Sequence, residues 1–99
     1  MKVEWTSLAQ ERFREQQDFI ARSDYEESAQ DWAAGIIGEV SLLEASPHLG
    51  RVVPEIGRED IRELVYKKKY RIFYKVARAC CYILSIRRKE KQITSTYSF

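Results

Sequence analysis

Three runs rich in β-branched and aromatic residues follow one another in the C-terminal half of the chain, at residues 61–66, 70–77 and 81–87. Short charged or small-residue breaks separate them, and this spacing predicts an antiparallel β-meander. Alternation along the middle run predicts one apolar face, which carries Tyr70, Ile72, Tyr74 and Val76. The other face carries Phe73 and two cations, Arg71 and Lys75. The apolar face of such a sheet must be buried by another element, so we expect the N-terminal half to supply helices that pack against it.

The N-terminal half predicts a short strand at residues 2–5 and then two helices. Thr6 and Ser7 are candidate N-caps of the first helix, and Ser7 with Gln10 has the spacing of a capping box. Overlapping capping boxes within residues 23–27 predict the end of one helix and the start of the next. The result is a helical hairpin.

The second helix shows the clearest period in the sequence, with apolar residues at three- and four-residue intervals: Ala29, Trp32, Ala33, Ile36, Ile37, Val40 and Leu43. Gly35 and Gly38 interrupt it at a cost of about 1 kcal/mol each relative to alanine, which predicts close packing against another element. Pro47 ends the helix, and residues 46–57 predict a connecting loop. The predicted fold class is therefore α+β: a short strand, a helical hairpin and a β-meander.

Length and composition narrow the class of protein. With 99 residues, 44% of them hydrophobic and 32% charged, the chain is expected to form one ordered domain over residues 1–99. No apolar run is long enough to cross a bilayer, so we expect no membrane association and a cytoplasmic location. Cys80 and Cys81 are adjacent and are expected to be reduced thiols. Because His48 is the single histidine, neither a metal site nor a cofactor is expected.

Charge is distributed unevenly along the chain. Residues 1–57 hold five basic and eleven acidic side chains, a formal charge of −6, whereas residues 58–99 hold twelve and four, a charge of +8. Two basic clusters stand out in the second part, Lys67, Lys68 and Lys69 between the first two runs and Arg87, Arg88, Lys89 and Lys91 after the last. We expect antiparallel pairing to bring them near Arg71 and to form a surface for RNA or an acidic protein. An exposed face that only aids solubility is the alternative.

The order of these elements resembles the RelE/ParE superfamily of bacterial type II toxins. The resemblance rests on Trp5, the loop Pro47-His-Leu-Gly-Arg51 with Pro54-Glu55, and the strands Ile61-Arg-Glu-Leu64, Tyr70-Arg-Ile-Phe-Tyr74 and residues 81–86. It covers almost the whole chain. It implies a toxin that a cognate antitoxin protein silences by tight binding, and that slows growth when the antitoxin is degraded.

Two activities occur in this superfamily. RelE-like members cleave mRNA in the ribosome without a metal, which needs a proton acceptor, a proton donor and cations at the phosphate. By resemblance, Arg71 would bind the phosphate, Arg88 or Lys89 would match the basic position after the last core strand, and Tyr97 would replace the C-terminal tyrosine. Lys67, Lys68 and Lys69 would add phosphate contacts.

ParE-like members instead poison DNA gyrase by binding it and need no catalytic group. The longer helical hairpin and the loop before residues 61–64 favour this branch, whereas the C-terminal basic cluster with Tyr97 favours the RNase branch. The overall pattern favours the ParE branch slightly and leaves enzymatic activity open. A third possibility is a small RNA- or protein-binding module without activity. In each case the expected target contacts are the same basic residues: Lys67, Lys68, Lys69, Arg71, Arg87, Arg88, Lys89 and Lys91.

Overall fold

The computed structural model describes residues 1–23 and 26–90. It contains two helices, α1 (Ser7–Ser23) and α2 (Glu26–Ser41), the latter followed by a 3-10 turn at Leu42–Glu44. The strands are β1 (Lys2–Trp5), β2 (Arg51–Val52), β3 (Ile61–Tyr66), β4 (Tyr70–Val76) and β5 (Cys80–Arg88). They form one sheet in the order β1-β5-β4-β3-β2, in which β1 runs parallel to β5 and the other pairs are antiparallel. The predicted fold is confirmed.

Helix α1 begins at a cap one residue earlier than the capping box predicts. The Ala9 N–H donates to Thr6 Oγ1 at 3.1 Å, so Thr6 is the N-cap and Ser7 is the first helical residue. The Gln10 side chain reaches back to the Trp5 carbonyl at 3.2 Å rather than to Ser7. Thr6 also donates through its hydroxyl to the Ile83 carbonyl at 2.7 Å, which ties the start of α1 to β5.

The main core lies between the helical hairpin and one face of the sheet. Its fully buried members include Ala9, Ile36, Leu43, Ile72, Tyr74, Cys81 and Ile83. Gly35 packs closely, as predicted, because a Cβ there would lie 1.8 Å from the Tyr66 hydroxyl oxygen. The same prediction is wrong for Gly38, where a Cβ would meet nothing within 4 Å. Ile37 also departs from the predicted core, since it is 55% exposed.

The opposite face of the sheet, which we call the outer face, is partly covered instead of open. The loop after β2 lays Val53 and Ile56 over Ile61 and Phe73, and this forms a second, smaller apolar cluster. Gly50, just before β2, permits the close approach of this edge to β3, because a Cβ there would collide with the Glu63 carbonyl oxygen. Arg71, which strand alternation places on this face, is buried beneath the cover.

The turn between β3 and β4 has an unusual backbone for its sequence. Lys67 and Lys68 adopt positive φ angles of 50° and 60°, a left-handed conformation that favours glycine or asparagine. The Lys69 N–H closes the turn by donating to the Tyr66 carbonyl at 3.0 Å.

Both cysteines are buried free thiols. In the part of the chain that the structure describes, no helix is long and apolar enough to cross a membrane.

Candidate functional site

Four exposed lysines meet at one end of the sheet. Antiparallel pairing places Tyr70 opposite Arg88, so the turn that carries Lys67, Lys68 and Lys69 lies beside the residue that follows β5. The Lys89 N–H donates to the Lys69 carbonyl at 2.7 Å, which fixes the two segments together. All four lysine side chains are exposed. We call these four residues the basic corner; strand pairing brings Lys89 of the second predicted cluster beside the three lysines of the first.

The arginines next to the basic corner point in different directions. Arg88 lies on the helix side of the sheet, with its guanidinium carbon 5.1 Å from the centre of the Phe19 ring. Arg87 pairs across the strands with Arg71, so these two residues share the outer face. Lys91 and Tyr97 lie outside the described residues, so their predicted roles have no structural counterpart here.

Arg71 is buried, with only 6% of its side chain exposed, and it is held by two carboxylates. Its two terminal nitrogens donate to the two oxygens of Glu55 at 2.7 and 2.8 Å, the bidentate geometry of a strong arginine–carboxylate pair. Its Nε donates to Glu63 Oε1. The hydrogen bonds to Glu55, and after them those to Glu63, raise the pKa of Arg71 above its ordinary value, against the opposing effect of burial.

Glu63 joins this pair to a second arginine. Its side chain is fully buried, and its other oxygen accepts from Arg51 Nε at 2.6 Å. Register explains the contact, because β2 places Arg51 directly opposite Glu63, while β4 places Arg71 diagonally across from it. Arg51, Glu55, Glu63 and Arg71, which we call the arginine network, carry two positive and two negative charges and are neutral as a group.

The two carboxylate partners of Arg71 were not among the predicted site residues. Glu63 falls two residues after the buried Ile61 on the same strand face, so a carboxylate aimed at the outer face was visible in the alternation. Glu55 comes from an irregular loop, whose path no periodicity predicts. Arg51 contacts Glu63 twelve residues further along the chain, and Glu55 contacts Arg71 sixteen residues further along.

Comparison with known proteins places this architecture in a family. A family model described as the ParE toxin of type II toxin–antitoxin systems, parDE, matches residues 3–93. The chain belongs to the ParE toxin family. The resemblance seen in the sequence is thereby confirmed, as is its ParE-like leaning, and the protein is the toxin of a type II toxin–antitoxin system.

Two solved structures share the fold of this ParE-family toxin. A structure described as the chromosomal ParDE toxin–antitoxin system from P. aeruginosa superposes with a TM-score of 0.76 at 21% identity, over 89% of this chain and 95% of that one. A conserved hypothetical protein from Helicobacter pylori superposes with a TM-score of 0.52 at 14% identity, over 92% and 97%. Among curated proteins, no relative matches.

For the toxin, the geometry separates the predicted site residues into two groups. Lys67, Lys68, Lys69 and Lys89 form an exposed surface that a macromolecule can reach. Arg71, in contrast, already has intramolecular partners for Nε and for both terminal nitrogens. A contact between Arg71 and a target therefore requires that these partners first be released.

Proposed function

We propose that this toxin inhibits DNA gyrase by binding it through the basic corner, without catalysis. The observation that carries the proposal is the arginine network. Arg71 is the residue that resemblance to RelE-like toxins would place at the scissile phosphate, and it lies buried between Glu55 and Glu63. The ParE family membership supports the same reading.

The RelE-like reaction needs cations whose charge is available to a phosphorane. For Arg71 to serve, its guanidinium would have to leave two carboxylates, one of them fully buried. Breaking one side of a buried ion pair costs about 3–5 kcal/mol, because the partner charge remains buried without compensation. A phosphate would also approach two carboxylates that repel it. The network therefore favours a structural role for Arg71.

The basic corner suits a contact with an acidic protein surface. Its four ammonium groups are exposed and lie on two segments that a backbone hydrogen bond holds together. Charges arranged in this way accelerate association and orient the partner, while the contact itself needs no catalytic group. The same surface gives the cognate antitoxin a simple means of control, since an acidic antitoxin segment that covers the corner blocks the gyrase contact.

Two assays with the purified toxin test the proposal. In the first, relaxed plasmid, ATP and gyrase are mixed with increasing toxin, and supercoiling is followed on a gel. In the second, ribosomes translating a defined message receive the same toxin, and cut sites are mapped by primer extension. We expect loss of supercoiling and intact message. Cut message together with normal supercoiling would favour mRNA cleavage instead.

A charge reversal locates the contact. Lys68→Glu changes an exposed turn residue in the basic corner, and Arg78→Glu is the matched control, because Arg78 is exposed in the hairpin connection at the other end of β4. We expect the first variant to need at least several-fold more protein for half inhibition and the second to match the wild type. Equal activity of both variants would remove the basic corner from the proposal.

A further inference from the structure

A cleft of about 280 Å³ lies between α1 and the end of β5, on the helix side of the sheet and therefore across the sheet from the arginine network. Residues at helical spacing on α1 form one wall, among them Arg12, Gln16 and Phe19. Ile86 and Arg88 form part of the other wall. The family assignment and the proposed gyrase contact leave this cleft without a role.

Two polar donors on α1 are buried at the cleft without an acceptor. Arg12 Nε and Gln16 Nε2 are shielded from solvent and have no hydrogen-bond partner among the described residues. A buried donor left in this state costs about 1–3 kcal/mol, so such groups normally have a partner. The two residues are one helical turn apart on the same face of α1 and both line the cleft, so a movement of their side chains is what would bring the two donors to one acceptor group there.

The charges around the cleft specify an anionic acceptor. Two arginines whose side chains lie on the helix side, Arg12 and Arg88, line it together with one carboxylate, Glu15. Arg12 keeps Glu15 at 3.0 Å through Nη1, which leaves its Nε for another group. Arg88 is oriented by the Phe19 ring below it and by the exposed Glu90 at 3.1 Å. An oxyanion placed between Arg12 and Arg88 would satisfy both guanidinium groups.

The apolar part of the cleft distinguishes a protein carboxylate from a nucleic-acid phosphate. Phe19, which is 44% exposed, and the buried Ile86 both line the cleft. This surface gains from contact with an apolar side chain, which a phosphodiester backbone does not offer. Glu15 at the same site repels a second negative charge, so a chain with one phosphate per nucleotide fits less well than an isolated carboxylate.

We infer that the cleft between α1 and β5 binds an acidic side chain, aspartate or glutamate, that is followed by an apolar residue and is presented by a protein partner. Cross-strand pairing of Arg88 with Tyr70 puts the cleft next to the basic corner, so one acidic segment can occupy both. The inference goes beyond the proposed function and does not depend on gyrase as the target.

A titration with capped dipeptides tests the site directly. The ¹⁵N-labelled full-length toxin is titrated with acetyl-Glu-Leu-amide, with the neutral acetyl-Gln-Leu-amide as its matched partner. We expect the glutamyl peptide to give saturable shifts at the amides of Ile86 and Arg88 and at the side chains of Arg12 and Gln16, and the glutaminyl peptide to give none. Absence of saturable shifts, equal binding of both peptides, or shifts elsewhere overturns the inference.

Matched variants and a phosphate titration complete the test. Arg12→Gln is expected to weaken glutamyl peptide binding about tenfold or more, because it removes a charge-assisted hydrogen bond. Arg14→Gln, on the same helix but away from the cleft, should leave binding unchanged. An unchanged affinity in Arg12→Gln contradicts the inference. So does inorganic phosphate that binds as tightly as the glutamyl peptide, since that result assigns the cleft to phosphates. No gyrase is present, so failure here is distinct from failure of the gyrase proposal.

Discussion

Glu63→Gln is the substitution that tests the arginine network most sharply. The fully buried Glu63 carboxylate accepts one hydrogen bond from Arg51 and one from Arg71. Glutamine has nearly the same shape, but it removes the negative charge and turns an amide N–H₂ toward a guanidinium. Because this leaves the positive charge of Arg71 buried without its full compensation, the free energy of unfolding should fall by about 3 kcal/mol or more.

Glu55→Gln is the matched control, since it removes the other carboxylate of the same arginine. Its side chain is 30% exposed, so water can partly solvate the guanidinium that loses its partner, and we expect a loss on the order of 1 kcal/mol. Urea unfolding measures both values. With an m-value of about 2 kcal/mol per molar, 3 kcal/mol lowers the midpoint by about 1.5 M. If Glu63→Gln shifts the midpoint no more than Glu55→Gln does, buried charge compensation is not what holds the outer face together.

Three further predictions concern the stability of the fold, each followed by thermal or urea unfolding. Gly35→Ala should cost about 1–3 kcal/mol, because its Cβ would collide with the Tyr66 hydroxyl, whereas Gly38→Ala should gain up to about 1 kcal/mol; the reverse order would contradict the packing described. Lys68→Gly should raise stability by up to about 1 kcal/mol by relieving the positive φ of 60°, and a loss would show that the turn is not strained. The hydrogen bond from Arg71 lowers the pKa of Glu55 from its ordinary value of 4.5. The stability that this carboxylate contributes is therefore complete at pH values above the ordinary pKa, and it is lost as the pH falls through the lowered pKa. Wild type and Glu55→Gln should therefore differ most near neutral pH and converge in acid, and a constant difference would refute this.

Much of the fold followed from periodicity. The three apolar runs, the two helices and the first strand correspond to elements of the structure, because each pattern reflects burial of one face. The details that failed depend on neighbours that the local sequence does not specify. Thr6 and Ser7 are both candidate caps by residue type, and Thr6, which caps the helix, is also the one that contacts β5. Gly35 and Gly38 look alike in sequence, but only Gly35 faces Tyr66.

The sequence predicted where the exposed lysines of the candidate site lie, but not which of the predicted site residues are buried. The lysines of the basic corner were identified correctly as neighbours, since hairpin pairing follows from order along the chain. The burial of Arg71 was not predicted, because it depends on a two-residue strand and a loop that fold over the outer face. Strand alternation predicts that Arg71 lies on the outer face, but it does not predict that a loop covers this face. Glu55 reaches it from sixteen residues away.

The central claim is that the toxin inhibits gyrase by binding and that Arg71 only supports the fold. The double variant Arg71→Met, Glu63→Leu tests it, because apolar residues of similar volume can replace a buried ion pair with little loss of stability. Glu55 and Arg51, which lose their partners, are 30% and 59% exposed and can be hydrated. Gyrase supercoiling is measured with wild type and with the double variant, after circular dichroism has shown that the variant is folded. We expect half-inhibitory concentrations within about threefold of each other, a difference in binding free energy of less than about 1 kcal/mol. A folded variant that has lost inhibition would place Arg71 at the target, and a wild type that does not inhibit would exclude gyrase.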